Sequence, residues 1–96
     1  MTIINIMFKV RESVRAFILT RFLSGEETTS LTDDLALIDT GVIDSLGLIH
    51  LVDFLEQNFS IVVEASEADK DNFNSVNSIC LYVESKRGSS SKVVHD

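Results

Sequence analysis

The chain has 96 residues, the size of a single domain, and carries a formal net charge of −7 at pH 7. Hydrophobic residues make up 45% of the sequence, which predicts a folded core, and the acidic balance argues against a nucleic acid partner. The one cysteine, Cys80, excludes an internal disulfide bond, and we expect it to be a small buried apolar residue.

Apolar runs in the sequence are shorter than the roughly 18–20 residues that a membrane span requires. The N-terminal stretch MTIINIMFKV has no basic residues before it, so it indicates the start of a helix and not a signal peptide. We therefore expect a cytoplasmic protein that binds no membrane.

Residues 4–23 are predicted to form the first helix, because their apolar side chains recur at helical spacing. These residues are Val10, Val14, Phe17, Ile18 and Phe22. Ser24 and Gly25 are a natural stop for this helix.

Residues 26–44 form a long connection rich in Thr, Ser and Asp, and loops of this length in small domains are often functional. Leu31, Leu35, Leu37 and Ile38 are spaced along it, which predicts that it packs on the helices. No Lys or Arg occurs between Phe22 and Ala68. This acidic stretch is suited to a partner with a basic surface, or it serves solubility only.

Residues 45–59 are predicted to form the second helix. One apolar stripe runs along it and consists of Leu48, Leu51, Val52, Leu55 and Phe59. Asp44 lies at the N-cap position, where its carboxylate can accept a hydrogen bond from the first turn, and Gly41 permits a sharp turn before it.

The remaining sequence predicts an extended link at residues 60–64, a short helical turn at 65–71, a turn at 72–74 with Phe73 in the core, and a last helix at 75–86. Residues 1–87 are expected to form the domain and residues 88–96 a disordered tail. The predicted fold is all-α: a small antiparallel bundle of three to four helices with a long first loop.

The segment Asp44-Ser45-Leu46 opens the second helix and follows Gly41 in the long loop. In this context, the run from Asp34 to Phe59 resembles the acyl carrier and peptidyl carrier family. The later segment DNFNSV (residues 71–76) is similar to the family's turn into the last helix. The resemblance covers about residues 8–87, and its strength lies in the combination of motif, loop and helix pattern.

The resemblance implies that Ser45 is the covalent attachment site of a 4′-phosphopantetheine arm, which holds an acyl or aminoacyl group as a thioester. Partners implied are a phosphopantetheinyl transferase, an adenylating ligase or acyltransferase, and downstream synthase or tailoring enzymes. The chain itself would be a non-catalytic monomer. Leu46 and Ile49 lie off the apolar stripe, so we expect them, together with Asp44, to contact partners.

Alternative chemistries fit the sequence less well. A nucleophile elbow needs a small residue two positions before the serine, where Ile43 stands, and His50 lies five positions along the same helix. The EF-hand pattern fails from Asp69 onward, and two histidines and one cysteine far apart make no zinc site. A second class remains open: an unmodified acidic helical module that binds a basic partner.

The pathway is the least determined feature. Fatty-acid carriers have a strongly acidic second helix with an acidic residue at the position of His50, whereas this helix contains only Asp53 and Glu56. The sequence is more similar to stand-alone carriers of natural-product pathways, which take an amino acid or small acid from an adenylating ligase. A fatty-acid carrier remains the alternative.

Overall fold

The architecture is that of a computed structural model, which describes the backbone of residues 2–23 and 31–95 and the side chains of residues 9–23 and 31–87. The described part contains four α-helices: α1 (Thr2–Phe22), α2 (Ser45–Phe59), α3 (Lys70–Phe73) and α4 (Val76–His95). A turn of 3₁₀ helix, Ala65–Glu67, lies between α2 and α3. The predicted all-α bundle is confirmed.

Helix α4 is the central element of the bundle, because α1, α2 and α3 each pack against it. The buried side chains recur every three or four residues along the helices, which places them on one face of each. The helical core residues are Val10, Val14 and Ile18 of α1, Leu51 and Leu55 of α2, Phe73 of α3, and Val76, Ile79, Cys80, Tyr82 and Val83 of α4.

Two boundaries differ from the prediction. The backbone of α4 continues to His95, beyond the predicted end at Lys86. The segment contains no proline, and Gly88 alone costs a helix only about 1 kcal/mol. The predicted turn at residues 65–71 is divided between the 3₁₀ turn and α3. The division into a domain (1–87) and a disordered tail (88–96) stays a prediction.

The apolar residues of the long loop pack on the helices, as predicted. Leu31 and Leu37 are fully buried, and Leu35 and Ile38 are partly buried against the core. The predicted stop at Ser24-Gly25 and the first part of the loop lie outside the described residues. The described part of the loop is therefore a packed layer of the domain and not a free linker.

Asn74, in the turn between α3 and α4, anchors this loop through its backbone and its side chain. Its carbonyl oxygen accepts a hydrogen bond from the N–H of Leu37 at 2.7 Å. Its Oδ1 accepts from the N–H groups of Ile38 at 2.8 Å and Asp39 at 3.3 Å. One residue thus satisfies three consecutive backbone donors of a loop that has no secondary structure of its own.

Asp39 closes the same anchor from the side of the loop. Its carboxylate accepts hydrogen bonds from Lys70 Nζ at 2.8 Å and from Asn74 Nδ2 at 3.2 Å. These two bonds, the one from Lys70 first, lower the pKa of Asp39 below its ordinary value. The ion pair between Lys70 and Asp39 is exposed to solvent, so its main effect is to orient the loop.

None of the helices in residues 2–23 and 31–95 combines the length and apolar character needed to cross a membrane.

Replacing Asn74 by Ala should destabilise the domain. The N–H of Ile38, which is partly buried, loses its acceptor, and we expect a loss of about 1–3 kcal/mol in the free energy of unfolding, measured by urea titration. The control is Asn58→Ala, because the side chain of Asn58 donates to the carbonyl of Phe54 in an exposed contact and has no other partner among the described residues. Equal unfolding midpoints for the two variants would contradict the anchoring role.

Candidate functional site

Ser45 is the first residue of α2, and its side chain is exposed. Asp44 before it has extended backbone, and its Oδ1 accepts a hydrogen bond from the N–H of Gly47 at 2.8 Å. The carbonyl of Asp44 accepts from the N–H of Leu48 at 2.8 Å, which is the first bond of the helix. The predicted N-cap is confirmed, and it fixes where the helix begins and hence where Ser45 stands.

The loop before Ser45 turns sharply at Gly41. Its φ is +83°, a left-handed conformation that side-chain-bearing residues rarely adopt. The N–H of Gly41 donates to the carbonyl of Ile38 at 3.1 Å, and the N–H of Ile43 donates to the carbonyl of Leu37 at 3.0 Å. Ile43 is buried, so the chain is held firmly two residues before Ser45.

Gly47 is a positional requirement that sequence reasoning missed. A Cβ at this position would lie 2.8 Å from Cε1 of Phe22 and 3.2 Å from Oδ1 of Asp44. The ring of Phe22 thus packs directly on the backbone of the first turn of α2. The signal in the sequence was a glycine inside a predicted helix, where it is unfavourable unless a neighbour approaches closely.

Leu46 and Ile49 are both predominantly exposed, at 63% and 64% of their full accessible surface. They follow Ser45 on the outer side of α2, whereas Leu51 and Leu55 are buried. The exposure of two large apolar side chains beside one exposed serine is what a docking surface requires. Contact of Asp44, Leu46 and Ile49 with partners stays a prediction.

Two surface hollows flank the start of α2. The hollow on the Ser45 side has a volume of about 320 Å³ and is lined by Ile38, Gly41, Ile43, Asp44, Ser45 and Leu48. The hollow on the other side has a volume of about 250 Å³ and is lined by Arg21, Phe22, Asp44, Leu46, Gly47 and His50. Both hollows are mainly apolar, and the lining of the second also includes two basic side chains, Arg21 and His50.

The contact between Arg21 and His50 was also missed by the sequence reasoning. Arg21 is at the end of α1, and its Nη2 is hydrogen-bonded to Nδ1 of His50 on α2. The two residues are 29 positions apart, so no local pattern could pair them. Because His50 is bonded to Arg21, this contact agrees with the argument from the sequence that Ser45 and His50 do not form a catalytic pair.

Cys80 is buried in the core face of α4, as predicted, and burial raises the pKa of its thiol. A buried neutral thiol is a packing residue and not a reactive one. Among the described side chains, no group of three or more His, Cys, Asp or Glu is placed to hold a metal ion. The expectation of a metal-free site stays a prediction.

Comparison with known proteins identifies the class to which this chain belongs. No family model matches the chain. The chain is 41% identical over 59 residues to a D-alanyl carrier protein of Streptococcus pyogenes serotype M5, a match that covers 62% of this chain and 73% of that protein. It is 39% identical over 54 residues to a D-alanyl carrier protein of Streptococcus mutans serotype c, covering 56% and 67%.

These matches and the all-helical fold show that the chain belongs to the acyl and peptidyl carrier protein family, whose members bind phosphopantetheine. Its relatives are D-alanyl carrier proteins, and the chain is accordingly a carrier protein.

Substitution of Asp44 separates its capping role from its charge. Asp44→Ala should lower the free energy of unfolding by about 0.5–2 kcal/mol, because the N–H of Gly47 loses its acceptor. Asp44→Asn should retain most of that stability, since an amide oxygen also caps a helix. Urea titration of both variants checks this, and equal losses would show that the charge and not the cap is what stabilises the helix.

Proposed function

We propose that this chain carries a small aminoacyl group of the D-alanyl class, covalently attached through a 4′-phosphopantetheine arm on Ser45, and delivers it to partner enzymes. The observation that carries the proposal is the exposed Ser45 at the capped start of α2, in a chain whose relatives are named for a D-alanyl cargo.

The start of α2 suits a phosphodiester on Ser45. The first N–H groups of a helix have no acceptor within the helix, and the helix dipole places partial positive charge there. Here Asp44 satisfies only the N–H of Gly47. Helix α2 has 15 residues, enough for a full dipole at its N-terminus. The chain's own contribution is thus to expose the serine hydroxyl and to favour an anion beside it.

The hollow on the Ser45 side gives the arm a surface to lie on. Its apolar lining comes from Ile38, Ile43 and Leu48, and its volume of about 320 Å³ is at the lower end of the roughly 300–1,000 Å³ that small-molecule sites occupy. When attached, the arm supplies a terminal thiol that holds the cargo as a thioester. Cys80 cannot serve instead, because it is buried in the core.

The cargo is proposed from the names of the relatives, since D-alanine is an amino acid. Of the acyl and aminoacyl groups expected as cargo, those names favour an aminoacyl group over a long-chain fatty acid. They support neither a natural-product pathway nor fatty-acid synthesis. We infer a phosphopantetheinyl transferase and an ATP-dependent adenylating ligase as partners, with a downstream acceptor enzyme and no catalysis by the chain itself. Because the ligase consumes ATP, we expect the ligase to load the chain in the cytoplasm.

The attachment site is tested by intact-mass measurement after co-expression with a phosphopantetheinyl transferase. The chain should gain the mass of one phosphopantetheinyl group, and Ser45→Ala should abolish the gain. The control is Ser85→Ala, which removes another exposed serine, on α4, and should leave the gain unchanged. Absence of any gain with a competent transferase would favour the unmodified interaction module.

The cargo is tested by loading the modified chain with ATP and the adenylating ligase of the same organism. The panel is D-alanine, L-alanine, glycine and palmitate, and the readout is intact mass before and after hydroxylamine, which releases thioesters. We expect D-alanine to be loaded fastest. Preferential loading of palmitate would refute the aminoacyl cargo while leaving the attachment site intact.

A further inference from the structure

The contact between Arg21 and His50 defines the hydrogen-bonding character of one flank of α2. Arginine has only donors, so Nδ1 of His50 must be the acceptor in this bond. The imidazole hydrogen is then on Nε2, which is a donor as well. The pair, which we call the basic pair, therefore offers the remaining guanidinium N–H groups and one imidazole N–H, and no acceptor on either side chain.

The electrostatics of the basic pair differ from those of the other cations that the structure pairs. Arg11, Arg15, Lys70 and Lys86 each form an ion pair with a carboxylate of this chain. For Arg21, no carboxylate oxygen of the described residues lies within the 4.0 Å of an ion pair. Its charge is thus uncompensated at close range by the part of the chain that is described.

Two nearby carboxylates of α2 and its cap are already engaged. Asp44 lines the same hollow, and its Oδ1 accepts from the N–H of Gly47. Asp53 lies beside the pair one turn further along, and its Oδ1 accepts from Gln57 Nε2 at 3.3 Å. Each carboxylate thus has one oxygen bonded to another donor, and neither forms an ion pair with Arg21.

The basic pair is next to the surface that a partner must cover to reach Ser45. His50 lies one helical turn after Leu46, and the side chains of both line the hollow on that flank. Leu46 and Ile49 are exposed on the outer side of α2, and Leu46 lines the hollow of the pair. An enzyme seated on these two apolar side chains therefore lies within reach of the donors.

We propose that the basic pair, Arg21 and His50, is the docking site for a carboxylate side chain of the enzyme that loads this carrier. The inference rests on the proposed function. It adds that this acidic protein contributes a positive charge to the contact with the enzyme, beside the attachment serine. Pairs of Arg with Asp or Glu are frequently bidentate, which adds geometric specificity, so such a contact would favour a loading enzyme that presents a carboxylate over partners that contact only the acidic surface.

The phosphate of the arm is a poorer occupant of this site. Ser45 lines the hollow on the opposite flank, together with Ile38 and Leu48, and it does not line the hollow of the basic pair. Gly47 and Phe22 line the hollow of the basic pair, and Asp44 lines both hollows. Because Ser45 itself lines the other hollow, we expect the donors of the pair to contact a partner and not the phosphate of the arm.

The test is the steady-state loading of the modified chain by its adenylating ligase with D-alanine and ATP. Arg21→Glu should raise the KM for the carrier about tenfold or more with little change in kcat, since docking and not chemistry is impaired. The matched control is Lys9→Glu, the same charge reversal on an exposed residue of the same helix, and it should load almost as the unchanged chain does. Equal KM values for the two variants would overturn the proposal.

Three further measurements separate the docking proposal from the proposed carrier function. Intact mass must show that both variants accept the arm, because failure of the unchanged chain to accept it would refute the proposed function instead. A Lys substitution of a ligase carboxylate should restore loading of Arg21→Glu. A shift of the Arg21 side-chain NMR signal between unmodified and modified chain would assign the arm's phosphate to the pair and overturn the docking role.

Discussion

The arrangement of the site depends on the hydrogen bonds through which Asn74 anchors the long loop. The backbone and side chain of this one residue hold three consecutive N–H groups, those of Leu37, Ile38 and Asp39. The loop then needs only the turn at Gly41 and the burial of Ile43 to bring Asp44 to the start of α2. The position of Ser45 thus depends on a residue that is distant in the sequence, in the turn that precedes α4.

The first part of the described loop is held by charged side chains, whereas Asn74 holds the second part through backbone N–H groups. Asp33 accepts hydrogen bonds from Arg11 and Arg15 of α1, each at 2.9 Å, and its carbonyl accepts from the N–H of Asn77 on α4 at 2.9 Å. The carbonyl of Leu31 accepts from Arg15 at 2.6 Å. Arg11 and Arg15 therefore bond to oxygen atoms of the loop, whereas Arg21 bonds to His50 and forms no ion pair with a carboxylate of the described residues.

The start of α2 combines a rigid base with an open surface. Its cap, the close contact between Gly47 and Phe22, and the buried Leu51 and Leu55 fix the helix, while Ser45, Leu46 and Ile49 remain exposed. Such a division suits the proposed carrier role, in which the chain would present one side chain in a defined place to its partner enzymes. Rigidity lowers the entropy lost on docking, and exposure allows the exchange of partners.

Local sequence patterns are enough to predict helices α1 and α2, the cap at Asp44, the turn at Gly41 and the burial of Phe73 and Cys80, because each follows from periodicity or from the preference of one residue type. They also indicate Ser45, whose surroundings match a family motif. Three features become visible in the folded chain alone: the anchor at Asn74, the approach of Phe22 to Gly47 and the pairing of Arg21 with His50. These contacts join residues far apart in the chain, and no short-range pattern records which distant side chains the packing of α1, α2 and α4 will bring together.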